Sequence, residues 1–264
     1  MKKIKNRINN FFKYKELFYQ LVIKDIKLKY RNSVLGYFWS VLNPLLIMIV
    51  KVIVFSNLFE RSIPNFPIYL LCRHLLFSFM SGSSTRSLLS IVGNAGLLKK
   101  IYVPKYIFTV ATVTSDLLTF IFSFGALIIL LLFTRTPVSL YSILIIIPII
   151  QLYVFCIGLG LFLSQATVFF RDIQHIWSVF TTAWMFLSAI FYPVDILPDT
   201  ILYLVTNLNP MYFYITMFRE FLMNKPDFYI MADLILRGFI SSLLVFLIGY
   251  ISFTRNKNKF ILYM

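Results

Sequence analysis

The chain has 264 residues, of which 59% are hydrophobic and only 13% are charged, and its formal net charge is +15. A soluble domain carries about 25% charged residues, so this composition excludes an ordinary soluble domain and indicates a protein whose solvent is lipid. The surplus of lysine and arginine does not require nucleic acid as a partner, because these residues collect beside apolar segments, where anionic headgroups of membrane lipids attract them.

The first predicted element is a cytoplasmic amphipathic segment over residues 1–33, which holds ten lysines and arginines. A helix over residues 11–29 gathers an apolar stripe on one face. That stripe consists of Phe11, Tyr14, Leu17, Phe18, Leu21, Val22 and Leu28. We expect the helix to lie in the membrane surface, with Asp25 paired to Lys29 one turn later. Two roles fit it, a juxtamembrane anchor and a moving element coupled to the first span.

Six apolar segments follow, each long enough to cross a bilayer, which takes about 20 residues. They predict an all-α integral membrane fold over residues 34–264. Their bounds are Leu35–Leu58, Ile68–Ser90, Tyr106–Phe133, Leu140–Phe170, Ile173–Tyr192 and Leu234–Phe253. Residues 193–225 are cut by prolines, so we expect short re-entrant helices there, before the last span. Positive charge concentrates on the side of residues 1–33, which places both termini in the cytoplasm of a multi-pass protein of the inner membrane.

Two cations lie within the predicted spans. Lys51 is in the first span and Arg73 in the second. A charge near the centre of a span costs about 2.5–3.5 kcal/mol, so it tends to face a partner or a water-filled space. The two cations would repel each other unless an anion or an acid such as Glu60 lay between them; alternatively, Lys51 extends outward to the interface. We expect His74, beside Arg73, to be a hydrogen-bonded structural residue.

The sequence contains no recognisable catalytic pattern. It has no G-x-x-x-x-G-K-[ST] phosphate-binding loop and no G-x-S-x-G motif. Its two histidines, His74 and His175, are far apart in the chain and do not indicate a metal site. We therefore expect no catalytic residue, metal or cofactor on this chain.

The run RNSVLGYFWSVLNP, from Arg31 to Pro44, resembles the start of the ABC-2 type permeases that export polysaccharides. Their pattern is R-x-S-x-L-G-x-x-W-x-x-x-x-P. Further stretches agree with that family in the right order: NAGLLKKIYVPKYIF, VFFRDIQHIW, and IFYPVDILP with NLNPMYFYITMFRE. The resemblance covers nearly the whole chain, and it is strongest to the permeases for lipid-linked O-antigen and for teichoic acid. Lys51 and Arg73 depart from the family, which usually has an aromatic or apolar residue and a small residue there.

The resemblance implies a homodimer of six-span subunits, paired with two copies of a separate ABC ATP-binding subunit that holds ATP and magnesium. The implied substrate is a polysaccharide on an undecaprenyl pyrophosphate or a similar lipid. Two rival functions stay open. One is an ABC-2 exporter of a small amphiphile or drug, which would have a closed apolar pocket. The other is a membrane-embedded glycolipid enzyme, which would need convergent carboxylates.

The resemblance also implies a gate at the entrance, formed by Arg31, Ser33, Leu35 and Gly36. An arginine offers a planar fork that can engage two phosphate oxygens at once, so we expect Arg31 to contact the pyrophosphate. The alternative is a helix cap followed by a kink at Pro44, with Arg31 merely anchoring the helix to anionic lipid.

Two further regions receive roles in the same way. Residues 91–105 are expected to form a cytoplasmic coupling helix that docks into the ATP-binding subunit through Asn94, Leu97, Leu98 and Lys99; a plain basic loop is the alternative. Residues 193–225 are expected to close the outer mouth. The aromatic side chains expected to contact the glycan are Trp39, Tyr192, Tyr203, Tyr212, Phe213 and Tyr214. An interfacial aromatic belt is the alternative for the last five.

Overall fold

The computed structural model describes residues 14–59, 65–100, 103–223, 227–257 and 259–263, and across those ranges the chain is helical with no β-strand. The α-helices are α1 Lys15–Lys29, α2 Trp39–Phe59, α3 Phe66–Leu88, α4 Ala95–Lys100, α5 Tyr106–Thr134, α6 Ile146–Phe169, α7 Ile173–Leu187, α8 Asp199–Leu208, α9 Pro210–Met223, α10 Phe228–Asn256 and α11 Phe260–Tyr263. Short 3-10 turns cover Gly36–Phe38, Val92–Asn94, Leu140–Ile145 and Val194–Ile196. The prediction of an all-α fold is confirmed.

Four helical stretches within the described ranges are long and apolar enough to cross a membrane: Gly36–Phe55, Tyr106–Thr134, Leu140–Phe169 and Phe228–Asn256. The other two predicted spans do not reach that standard. The fifth ends early, because α7 has only 15 residues and is about 22 Å long, against a hydrocarbon core of about 30 Å. The second, α3, has 23 residues, but its polar side chains lower its hydropathy.

Helix α3 is the centre of the bundle. Most of its residues are buried, and its apolar side chains join one continuous core with those of α5, α6 and α9. Helices α6 and α10 pack so closely that a Cβ on Gly158 would collide with the backbone of Phe246, and one on Gly249 would collide with the backbone of Gly158. Glycine is needed at both positions because the two backbones touch there.

Helix α1 lies along the first half of α5. Leu21 and Val22 are buried in a second apolar cluster with Ile107 and Phe108 of α5. The described part of the predicted apolar stripe therefore packs mainly against protein, although Leu28 is exposed; Phe11 lies outside the described residues. The predicted pairing of Asp25 with Lys29 is wrong: Asp25 accepts a hydrogen bond from Thr112 at 3.4 Å, and Lys29 faces Asp116. Tertiary partners on α5 replace the local one.

Asn209 organises the region before the last long helix. It is buried between α8 and α9, where its side-chain oxygen accepts from Trp184 Nε1 at 2.9 Å and from the backbone N–H of Met211. Its amide nitrogen donates to the carbonyl of Leu187 and to Ser188 Oγ, both at 3.1 Å. One side chain thus ties the end of α7 to the start of α9 and holds the two short helices against the bundle.

Candidate functional site

A cavity of about 460 Å³ lies between α2, α3 and α5, beside the loop that follows α1. Its walls combine apolar side chains, such as Ile47 and Phe79, with polar ones. The polar side chains come from all three helices: Ser40 and Asn43 of α2, His74 and Ser78 of α3, and Asp116, Thr119 and Ser123 of α5. We call the end lined by Lys29, Tyr30 and Ser33 the mouth, and the end lined by Ile47 and His74 the far end.

The polar walls follow from helical spacing. Within each helix the polar lining residues are three or four positions apart, so they lie on one face of the helix. Sequence reasoning missed this site. The signal was present in the sequence, because Ser78 and Gly82 continue the spacing from His74, while Thr119 and Ser123 continue it from Asp116.

The mouth carries a charged cluster. Asp116 of α5 is ion-paired with Arg86 of α3, whose Nε donates to Asp116 Oδ2 at 2.8 Å and whose Nη2 contacts Oδ1. Arg86 also donates to Ser115 Oγ at 3.1 Å. Lys29 Nζ lies 3.9 Å from Asp116 Oδ1. Burial lowers the pKa of Lys29, and the attraction of Asp116 offsets this only in part.

The predicted gate residues lie at the mouth, but not all of them face the cavity. Ser33 and Trp39 line it. Arg31 and Leu35 are exposed, and Arg31 makes no hydrogen bond or ion pair with any residue that the structure describes. Gly36 has φ +49, a left-handed conformation that glycine adopts without strain. The pattern thus shapes a turn between α1 and α2 that leaves Arg31 outside the cavity.

Lys51 lies just beyond the far end. Its Nζ is 2.9 Å from His74 Nδ1 and 4.9 Å from the centre of the Phe191 ring. Ser78 Oγ lies 3.3 Å from the same ring nitrogen of His74. His74 is therefore hydrogen-bonded, as the sequence predicts, and it is the neighbour that Lys51 contacts.

Arg73 is turned away from the cavity. It is 3% exposed; its Nη1 donates to the carbonyl of Ala189 and lies 3.5 Å from that of Tyr192. The guanidinium also lies over the Tyr69 ring, 4.0 Å from its centre. Ala189 has φ +48, so Arg73 caps a strained turn after α7. Lys51 and Arg73 thus have separate partners, and Glu60, the acid expected between them, is outside the described residues.

The predicted glycan-contacting aromatics fall into two groups. Tyr203 is 66% exposed, and Tyr192 and Tyr212 are half-buried. Phe213 and Tyr214 are buried in the core, where the Tyr214 hydroxyl donates to the carbonyl of Gly238. A buried ring has no face free for a sugar, so Phe213 and Tyr214 are excluded as residues that contact the glycan. They point inward because α9 packs against α6 and α10.

The predicted coupling segment contains the six-residue helix α4. Leu98 is buried and Leu97 half-buried in the cluster that also holds α1 and α5. Asn94 accepts from Lys24 Nζ at 3.3 Å, which ties this segment to α1. Lys99 and Lys100 are exposed. The outward face of the segment is therefore formed by its glycines and lysines, and its leucines face the bundle.

Sequence comparison shows that the chain is similar to membrane transport proteins. The model of the ABC-2 type transporter family matches residues 16–223. An O-antigen export system permease protein from Klebsiella pneumoniae is 29% identical over 240 residues, 90% of either chain. One from Myxococcus xanthus is 31% identical over 206 residues, 77% of this chain and 79% of that one. A polysialic acid transport protein from Escherichia coli is 25% identical over 185 residues, 67% of this chain and 70% of that one.

Proposed function

This chain belongs to the ABC-2 type transporter family, and on that premise we propose that it is the permease subunit of an exporter for a lipid-linked polysaccharide. Its relatives are described as permeases for O-antigen export and as a polysialic acid transport protein. We propose a glycan of the O-antigen or teichoic acid type on an undecaprenyl pyrophosphate lipid, exported across the cytoplasmic membrane at the cost of ATP.

The observation that carries this proposal is the set of hydroxyl and amide side chains that line a cavity inside an apolar bundle. Sugar rings carry many hydroxyl groups, and each one that leaves water needs a new hydrogen-bond partner. Hydroxyl and amide groups on three helices can supply such partners. A small amphiphile or drug needs few hydrogen-bond partners, so the number of hydroxyl and amide side chains in this lining supports the glycan over that rival.

The lining carboxylate argues against the second rival, a membrane-embedded glycolipid enzyme. Asp116 has both oxygens engaged by Arg86, which leaves no free carboxylate for proton transfer on that wall. The relatives are transport subunits. We propose accordingly that this chain performs no chemistry and that ATP and magnesium are bound by a separate subunit.

We propose that two copies of the chain form the conduit. The apolar face of α2 that includes Leu46, Ile49, Val50 and Ile53 is exposed, and it adjoins the face that lines the cavity. A second copy packed there would enclose a channel between two polar walls. In this arrangement α3 and α7 complete six spans with the four long apolar stretches, and both termini face the cytoplasm.

The coupling segment is proposed to dock into the ATP-binding subunit through the exposed face around Gly96 and Lys100. Cysteines at these positions should crosslink to that subunit, because a side chain at Gly96 meets no atom within 4 Å. Leu98→Cys is the matched control and should crosslink poorly, since Leu98 is buried. Equal crosslinking of buried and exposed positions would contradict the docking face.

At the mouth, we propose that Arg31 attracts the carrier's pyrophosphate at the membrane surface and that Ser33, Leu35 and Gly36 form the flexible edge of the entrance. The exposed position of Arg31 supports a role in capture. Trp39 lines the cavity just inside and offers a flat ring to the first sugar. Tyr192, Tyr203 and Tyr212 are the remaining candidates for glycan contact at the opposite side.

Reconstitution tests the function as a whole. The permease and its ATP-binding subunit, in proteoliposomes with a fluorescent lipid-linked glycan, should move the glycan to a lectin-accessible compartment only when ATP is hydrolysed. A hydrolysis-deficient ATP-binding subunit is the control. Transport of a lipophilic dye with no transport of the glycan would favour the amphiphile exporter and overturn the proposal.

A further inference from the structure

At the mouth, two cations, Arg86 and Lys29, lie beside one acid, Asp116, and only Arg86 contacts it closely. Arg86 engages both oxygens of Asp116 through a two-point contact, the geometry that makes arginine–carboxylate pairs strong. Lys29 Nζ stands 3.9 Å from Oδ1, beyond hydrogen-bond distance. Across the described residues Lys29 donates no hydrogen bond, so its three N–H groups are available.

Asp25, the other acid nearby, does not form an ion pair with Lys29 either. Asp25 is one turn earlier on α1, and its carboxylate accepts from Thr112 Oγ1 at 3.4 Å. The Lys29 side chain is 37% exposed and lines the cavity together with Tyr30 and Ser33. A cation, a phenol and a serine hydroxyl therefore line the same side of the mouth, where the Tyr30 hydroxyl is also hydrogen-bonded to Ser40 and Thr119.

These groups match one kind of ligand. All three can donate hydrogen bonds, and a phosphate group accepts several at once while its charge pairs with an ammonium. Lys29 is the last residue of α1, at the junction with the loop that leads into the first apolar helix, where we expect lipid headgroups to lie. Arg31, two residues later, is exposed and points to no part of the cavity lining.

We infer that Lys29 is the cation that binds a phosphate of the substrate's lipid carrier inside the mouth, with the hydroxyls of Tyr30 and Ser33, and that Asp116 is a positioning residue that competes for Lys29. The inference rests on the proposed function. When the phosphate enters, the Lys29 ammonium pairs with the phosphate instead of with Asp116. When it leaves, Asp116 again faces Lys29, and Arg86 keeps that carboxylate in place throughout.

The competing carboxylate explains why so favourable a site does not trap its ligand. A transport site must bind its ligand and also release it. Asp116 repels the phosphate while Lys29 attracts it, so the net affinity is moderated. Removing the charge of Asp116 is then expected to tighten binding and slow release.

The test is binding of radiolabelled farnesyl pyrophosphate to the complete transporter in nanodiscs of neutral lipid. We expect Lys29→Ala to weaken binding about tenfold or more, which corresponds to one charged hydrogen bond. Farnesol, which lacks the phosphates, should bind both proteins equally. Lys27→Ala, an exposed neighbour on the same helix, is the matched control and should change the affinity less than about twofold.

Further arms separate the sources of phosphate. Competition by inorganic pyrophosphate as strong as that by farnesyl pyrophosphate would point to a free-anion site and overturn the assignment to a carrier lipid. A second arm uses nanodiscs that contain anionic phospholipid. Equal binding of farnesyl pyrophosphate by Lys29→Ala and the wild type there would assign the site to ordinary lipid headgroups and would also overturn the assignment to a carrier lipid. Asp116→Asn should bind the probe more tightly and turn over ATP more slowly.

Failure of the inference differs from failure of the proposed function. If Arg31→Ala abolishes probe binding and Lys29→Ala matches the wild type, Arg31 alone holds the phosphate and the inference falls, while the proposed exporter stands. If the wild type binds farnesol as tightly as farnesyl pyrophosphate, the proposed pyrophosphate-linked substrate is wrong, and the inference is wrong as well.

Discussion

Cations lie at both ends of the polar cavity, and the two ends differ in what compensates them. At the mouth, Arg86 and Lys29 share a carboxylate, Asp116. Near the far end, Lys51 and Arg73 contact an imidazole, backbone carbonyls and aromatic rings. A charge held by an acid can exchange partners with an incoming anion, whereas one that is built into a turn cannot be released without disturbing the fold.

The far end itself contains two different cases. Arg73 is fully enclosed and satisfies carbonyl groups that no helix hydrogen bond uses. Lys51 is partly exposed and touches one ring nitrogen and one aromatic face. The comparison therefore predicts how strongly stability depends on each cation. The dependence is largest for Arg73, which is built into a turn, intermediate for Arg86, which is paired with an acid, and smallest for Lys51.

Replacing Arg73 should have the largest effect on stability. Arg73→Ala removes the donor for the carbonyl of Ala189 and opens a cavity beside Tyr69, so we expect a loss of about 3 kcal/mol or more in the free energy of unfolding. Thermal and denaturant unfolding of the purified permease in detergent measure it. Arg171→Ala, an exposed arginine in the loop before α7, is the control; an equally small change in both variants would refute the structural role.

The pair at the mouth should have an intermediate effect, visible as coupling. In a double-mutant cycle of Arg86→Gln and Asp116→Asn, we expect an interaction free energy of about 1.5–3 kcal/mol, as for hydrogen bonds between charged groups. The same unfolding measurement applies to all four proteins. Additive effects would mean that the pair is separated by water in solution, and the contrast between the two ends would lose its basis.

Lys51 should have the smallest effect. Lys51→Met removes a charge from a membrane span and loses one hydrogen bond and one contact with an aromatic ring, so stability should stay within about 1 kcal/mol of the wild type or rise. His74→Ala, which takes away the acceptor and keeps the charge, should be the less stable of the two variants. A loss for Lys51→Met as large as that for Arg73→Ala would place Lys51 in the structural class.

The sequence predicted the helices well where hydropathy alone decides. The ends of the four long apolar stretches lie within about three residues of the predicted ends, except that α10 begins at Phe228 rather than Leu234. Helix α7 is shorter than the fifth predicted span because the turn at Ala189 ends it early, and the carbonyl of that turn accepts from Arg73, which is more than a hundred residues away in the chain.

The candidate site was predictable in part. The turn between α1 and α2 follows from its motif, since Gly36 adopts the conformation that favours glycine. The pairing of Asp116 with Arg86 did not follow, because α3 and α5 must pack before these side chains meet. The burial of Phe213 and Tyr214 was missed for a similar reason: the rings of α9 look alike in sequence, and only its packing against α6 and α10 decides which face inward.

The contact between Gly158 and Gly249 has a mechanical consequence. Where two backbones touch, there are no side chains to change rotamer and let one helix slide past the other. We therefore expect α6 and α10 to move together as one rigid unit. The motions that open and close a passage are then expected in the opposite half of the subunit, where α1, α2 and the loop with Gly36 meet α5 through longer side chains and exchangeable charges.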